Sequence, residues 1–87
     1  MNSYCEPEFW DQYNAFPEDT RKLMDEKFAL WLADPTHPSL YFKPVKGTPD
    51  WWSVRIGQRY RAICVRDGDD CNWFFIGSHR DYDDLIP

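Results

Sequence analysis

The chain has 87 residues and a formal net charge of −5, and 18% of it is aromatic, including five Trp. That length holds one domain, residues 1–87, whose small core needs efficient apolar side chains; no apolar run approaches the roughly 20 residues of a membrane-spanning helix. The three cysteines, Cys5, Cys64 and Cys71, have no metal or redox spacing, so neither a metal nor another cofactor is expected, and an odd count without a secretory leader fits a reducing cytoplasm.

Residues 8–15, EFWDQYNA, are predicted to form a short helix before Pro17. Residues 17–34 form a longer one: Pro17 suits a first turn, and Glu18 and Asp19 suit the positive end of the helix dipole. At 100° per residue Leu23, Met24, Lys27, Phe28, Leu30 and Trp31 gather on one side, and Lys22, Asp25, Glu26 and Ala29 on the other. This is the pattern of a core-facing amphipathic helix. Asp34 precedes a proline and ends it, and His37, between two proline steps, is read as a loop residue fixing the turn that follows.

From residue 39 the period changes to two. SLYFKPV (39–45), WWSVRI (51–56), RYRAICVR (59–66) and CNWFFIG (71–77) read as four short strands. Asp67-Gly68 is a hairpin signal, and a two-residue turn there sets Cys64 opposite Cys71 as two buried thiols. The predicted fold is α+β, two N-terminal helices packed on a four-stranded antiparallel sheet. Trp52, Val54 and Ile56 share one face and Ser53 and Arg55 the other; Arg59 and Arg61 share a face, with Tyr60 and Ala62 opposite.

Charge is unevenly placed. Residues 1–42 hold eight acids and three bases, whereas residues 43–66 hold six bases and only Asp50. Such a basic patch on an acidic chain fits phosphates or an acidic partner, or simply a solvated sheet face. Arg61 lies on an apolar strand beside Ile63 and Val65, where a guanidinium is costly without an anion. Either an external anion meets it or an Asp of the C-terminal RDYDD does.

The ordered set in residues 37–86, a PVKG loop, then WSVRI, then YR opening the next strand, then an apolar last strand ending near His79, resembles the RelE/ParE superfamily of toxins from type II toxin–antitoxin modules. The resemblance implies the same α+β fold and, for many RelE-like members, ribosome-dependent cleavage of mRNA without a metal. In that chemistry a base removes the 2′-OH proton, the oxygen attacks the adjacent phosphorus, and an acid protonates the leaving 5′-oxygen. Carried over by position, Arg61 matches a phosphate-stabilising Arg and Arg55 a basic site on the preceding strand. Lys43 falls where relatives carry a catalytic Glu or a neighbouring Lys. His79 lies near the Arg or His at the end of the last strand, and Tyr82 is a looser match to a C-terminal Tyr. Lys46 and Arg59 extend the RNA-binding surface.

The implied partners are a cognate antitoxin, the ribosome and mRNA. Two alternatives stay open: a non-enzymatic ParE-like toxin that binds DNA gyrase, or a degenerate member that retains only antitoxin binding. The acidic balance fits these two, and the set Arg55, Arg61 and His79 fits the nuclease. The aromatic excess in Trp51, Trp52, Trp73, Phe74 and Phe75 points to an antitoxin seated over the groove between sheet and helices.

Overall fold

The change of period near residue 38 is the change from helices to sheet in the structure, a computed structural model that describes residues 1–87. Strand β1 (Asn2–Cys5) leads into helix α1 (Pro7–Asn14) and helix α2 (Glu18–Ala33). A 3₁₀ turn (Pro38–Leu40) precedes β2 (Lys43–Pro44), β3 (Trp51–Ile56), β4 (Tyr60–Asp67), β5 (Asp70–Ser78) and a third helix, α3 (His79–Leu85). The sheet order is β1-β5-β4-β3-β2, antiparallel except for β1, which runs parallel to β5. No helix is long and apolar enough to cross a membrane.

The expected side of α2 faces the sheet: Met24 and Trp31 are fully buried, and Lys22, Asp25, Glu26 and Ala29 are exposed. They pack with Phe9 of α1 and with Val54, Ile56, Ala62, Cys64, Cys71, Trp73 and Ile76 of the sheet. Trp73 is the centre of an edge-to-face cluster, with ring centroids 5.2 Å from Trp31 and 5.1 Å from Phe28. Each such side chain contributes about 1.5–3 kcal/mol by leaving water, and each ring pair adds up to about 1.5 kcal/mol. His37 fixes the turn as expected: its Nδ1 accepts from the Ser39 backbone N–H at 3.2 Å.

The class is α+β as expected, but the sheet has five strands, not four, and the helices number three, not two. Strand β1 is mostly exposed and carries no apolar alternation; it exists because the edge of β5 offers it a ladder, from Asn2 opposite Asp70 to Cys5 opposite Trp73. The strand expected over 39–45 shrinks to Lys43–Pro44, because Pro38–Leu40 takes the 3₁₀ turn and Tyr41 is left-handed at φ 45°.

The hairpin turn also moves. Its central residues are Gly68 and Asp69, with φ +60° at Gly68 and no positive φ at Asp69, as a type II′ turn requires. Cys64 therefore faces Trp73, and Cys71 faces Arg66. The partner shift is two residues, so both thiols still lie on the helix side, free and buried.

A bulge between Ile63 and Cys64 leaves Phe74 without a partner in β4. Gln12 of α1 satisfies the freed backbone: its Oε1 accepts from Ile76 N at 3.0 Å and its Nε2 donates to Phe74 O at 3.4 Å. The bulge turns two consecutive rings, Phe74 and Phe75, to the face away from α1 and α2, where Phe74 meets Trp51 at 5.0 Å. Of the five aromatics set aside for a partner, Trp73 is instead fully buried in the core, and Trp51, Trp52, Phe74 and Phe75 are half-buried.

Candidate functional site

The face away from α1 and α2 is covered at one end by α3. Ser78 caps that helix, its Oγ accepting from Asp81 N at 3.1 Å, and the His79 N–H donates to Arg59 O at 2.7 Å, pinning the helix start to the start of β4. Tyr82 then turns inward, the one buried residue of α3, and its hydroxyl donates to the buried Ser53 Oγ at 3.3 Å. The His79 ring stacks beside it at 6.2 Å and 23°.

Between α3 and the β2–β3 edge lies a cleft of about 190 Å³ lined by Tyr41, Lys43, Ser53, Arg55, Arg61, His79 and Tyr82. All five residues singled out for chemistry, Lys43, Arg55, Arg61, His79 and Tyr82, meet in it. Lys46 lies in a neighbouring depression that shares Lys43 and Tyr82. Arg59 is exposed and lines no part of the cleft. Tyr41 and Ser53 were not singled out. Tyr41 was read as part of the strand 39–45, and its aromatic ring beside the PVKG loop was the available signal; Ser53 shares the face of Arg55, but its role depends on Tyr82.

The two guanidiniums are set by one turn. Arg55 and Arg61 are direct cross-strand partners. Gly57, at φ +63° in the β3–β4 turn, offers its carbonyl to Arg55 Nε at 3.1 Å and to Arg61 Nη1 at 3.4 Å. Arg61 Nη1 also donates to Tyr60 O at 2.7 Å. Neither arginine has a carboxylate within 4.0 Å; Glu18 pairs with Lys22, and Asp83 lies beside the His79 ring. The pairing of Arg61 with an Asp of the C-terminal segment is therefore not formed. Burial pushes the Arg61 guanidinium down from its ordinary value, and the positive charge of Arg55 adds to the effect. Two like charges opposite each other cost stability, and here no carboxylate pairs directly with either, Asp83 acting on Arg61 only from a distance. An anion entering the cleft removes that cost.

His79 is the one imidazole of the set. The Asp83 carboxylate, one helical turn on, lies 3.4 Å from Nδ1. Nε2 has no partner in the chain, and His79 itself lines the cleft. The cleft thus combines Lys43, Arg55 and Arg61 as fixed positive charges, one imidazole, and a floor formed by the Tyr82–Ser53 pair. No three His, Cys, Asp or Glu side chains cluster as a metal site.

The family profile of the ParE-like toxin domain matches residues 28–84, which includes the whole cleft. Among solved structures, the fold is similar to a chain of the RelB–RelE antitoxin–toxin complex from Methanococcus jannaschii, at 18% identity, a TM-score of 0.73, and coverage of 97% of this chain and 99% of that chain. It is similar to the YoeB/ParE toxin from Agrobacterium tumefaciens at 18% identity and a TM-score of 0.67, covering 91% and 99%. For the isolated E. coli RelE toxin the figures are 13% identity, a TM-score of 0.67, and coverage of 95% and 92%. Likeness at these identities is one of fold. No curated protein matches the sequence.

Proposed function

The chain belongs to the ParE-like toxin domain family, the RelE/ParE/YoeB type of toxin, and from that premise we propose that it cleaves mRNA in the ribosome and is held inactive by a cognate antitoxin. The observation that carries this reading is the convergence of Lys43, Arg55, Arg61, His79 and Tyr82 on one cleft with no carboxylate in its lining.

The scissile phosphate enters between Arg55 and Arg61, which have no direct carboxylate partner and are preorganised by the Gly57 carbonyl. His79 Nε2 takes the proton of the 2′-OH, and the freed oxygen attacks phosphorus. The O2′–P bond forms as the P–O5′ bond breaks, and the Lys43 ammonium gives a proton to the leaving 5′-oxygen. The products are a 2′,3′-cyclic phosphate and a 5′-hydroxyl. The two guanidiniums stabilise the extra negative charge that develops on the phosphorane oxygens. The reaction draws its positive charge from the chain itself and uses no metal. Tyr82, with its hydroxyl engaged by Ser53, holds the His79 ring from below.

An antitoxin partner is supported by the similarity to chains of RelB–RelE complexes from Methanococcus jannaschii and Pyrococcus horikoshii. The competing reading is gyrase binding without cleavage, and the net charge of −5 favours it, because the phosphates of ribosomal RNA repel an acidic chain. Induced expression separates the two. The nuclease reading expects mRNA ends that appear within minutes and disappear in His79→Ala, which should lose about 10²–10⁴ in rate. Intact mRNA together with inhibited gyrase supercoiling would replace it with the binding toxin.

A further inference from the structure

A second groove, of about 370 Å³, opens on the helix side of the sheet, and Tyr41, in the turn before the edge strand β2, lines both it and the cleft on the opposite face. In this groove the Arg66 guanidinium lies 4.3 Å above the Trp52 ring and 5.7 Å from the Phe42 ring, with Trp52 and Phe42 themselves 4.9 Å apart. Arg66 Nε donates to Gly68 O at 2.9 Å, and no carboxylate pairs with it. The chain has 15 Asp and Glu, yet none lines the cleft or this groove, whereas Asp25 lines the apolar depression over α1 and α2 and Asp81 the one beside β5. Cationic charge interleaved with aromatic faces is what a single-stranded nucleic acid requires: positive groups follow the phosphates and rings receive the bases.

The junction is the unusual part. Tyr41 is the one non-glycine residue with positive φ, it is 58% exposed, and the Arg55 guanidinium sits 5.2 Å over its ring. A bulky residue in this conformation is strained, and strain kept at the mouth of a site points to use.

We propose that cleft and groove form one track for single-stranded RNA that passes around the β2 edge of the sheet at Tyr41, in which Tyr41 stacks the base next to the phosphate held by Arg55 and Arg61, and Arg66 with Trp52 receives the following nucleotide. The track rests on the RNA-cleaving reading of the cleft for the identity of its ligand. It adds a stacking residue and a second binding step outside the chemistry.

The test is a titration of the full chain with a 2′-O-methyl hexanucleotide, which cannot be cleaved, at low salt, followed by NMR. The Tyr41 amide, the Trp52 indole and the Arg66 Nε–H signals are expected to move together with one Kd. Tyr41→Gly, which suits the left-handed backbone and keeps the fold, should weaken binding about tenfold, within the range of one lost base stack, while Tyr41→Phe should retain it. Arg66→Ala should weaken binding and lower the salt slope by about one. Shifts confined to the cleft, or binding indifferent to both Tyr41→Gly and Arg66→Ala, overturn the track and leave the cleavage reading standing. If those two variants instead weaken only the antitoxin complex, the groove is a protein seat and the proposal fails. Should the chain cleave no mRNA on expression while the oligonucleotide still moves Tyr41 and Trp52, the cleavage reading fails and the track stands.

Discussion

Replacing Arg61 by Ala separates a functional guanidinium from a structural one, because the structure gives the two roles different magnitudes. The side chain makes one good hydrogen bond, to Tyr60 O at 2.7 Å, and one weak one, to Gly57 O at 3.4 Å. Net hydrogen bonds of this kind contribute about 0.5–1.5 kcal/mol each, with the long one at the low end. Truncation also relieves the repulsion from Arg55 across the strand pair, which returns about 0.2–1 kcal/mol. The expected net loss of stability is therefore under about 2 kcal/mol. Catalysis should suffer more: losing a preorganised charge at the phosphorane lowers the rate about a hundredfold or more, roughly 3 kcal/mol. Arg61→Lys keeps the charge but loses the fork that two phosphate oxygens fit, and should fall between. Urea melts give the first quantity, and primer extension on mRNA from a ribosome-containing extract gives the second. Parental cleavage by a folded Arg61→Ala protein would refute the role given to this residue. A stability loss above about 4 kcal/mol would show instead that Arg61 is held by the fold.

Three further outcomes follow from local geometry. Tyr41→Gly relieves a left-handed residue that costs about 1–2 kcal/mol, against about 0.5–1 kcal/mol of added chain entropy; its thermal midpoint should equal or slightly exceed the parent's, and a clear fall would mean that the ring packs. At Gly77 an added Cβ meets the Phe75 ring at 2.8 Å, so Gly77→Ala should lose about 1–2 kcal/mol in urea melts and Phe75→Leu should restore most of it. Burial pushes the Cys64 and Cys71 thiols up. Their folded values lie above the unfolded ones, so the stability they contribute is complete below about pH 8.5 and is lost as pH rises. The urea midpoint should fall between pH 8 and pH 10, and Cys64→Ala should start lower at pH 7 but fall less steeply.

The sequence by itself determined the two long-range features that depend on periodicity. The 3.6-residue stripe of α2 and the two-residue alternation of β3 and β4 each bury one face, and burial of one face leaves little freedom in which side chains point inward. The same alternation put Arg55 on the face opposite Val54 and Ile56 and Arg61 on the face opposite Tyr60 and Ala62, and the family resemblance carried over Lys43, His79 and Tyr82; the β3–β4 register and α3 brought the five to one cleft. Strand β1 was illegible because an exposed four-residue edge strand owes its existence to the ladder that β5 supplies, not to its own pattern. Helix α3 was illegible for a similar reason: apart from Tyr82 and Leu85 its residues are polar, although Ser78, three before Asp81, was a usable cap signal. Placing the turn at Gly68-Asp69 rather than Asp67-Gly68 required the register of the whole β4–β5 pair. The roles of Ser53 and Tyr41 were decided by tertiary structure alone. Ser53 became buried only when α3 laid Tyr82 over it, and Tyr41 became the junction of two grooves only when the chain before β2 turned left-handed. Local pattern fixes which face of an element is buried; what is laid across that face depends on residues far away in sequence, and the cleft lies where such elements meet.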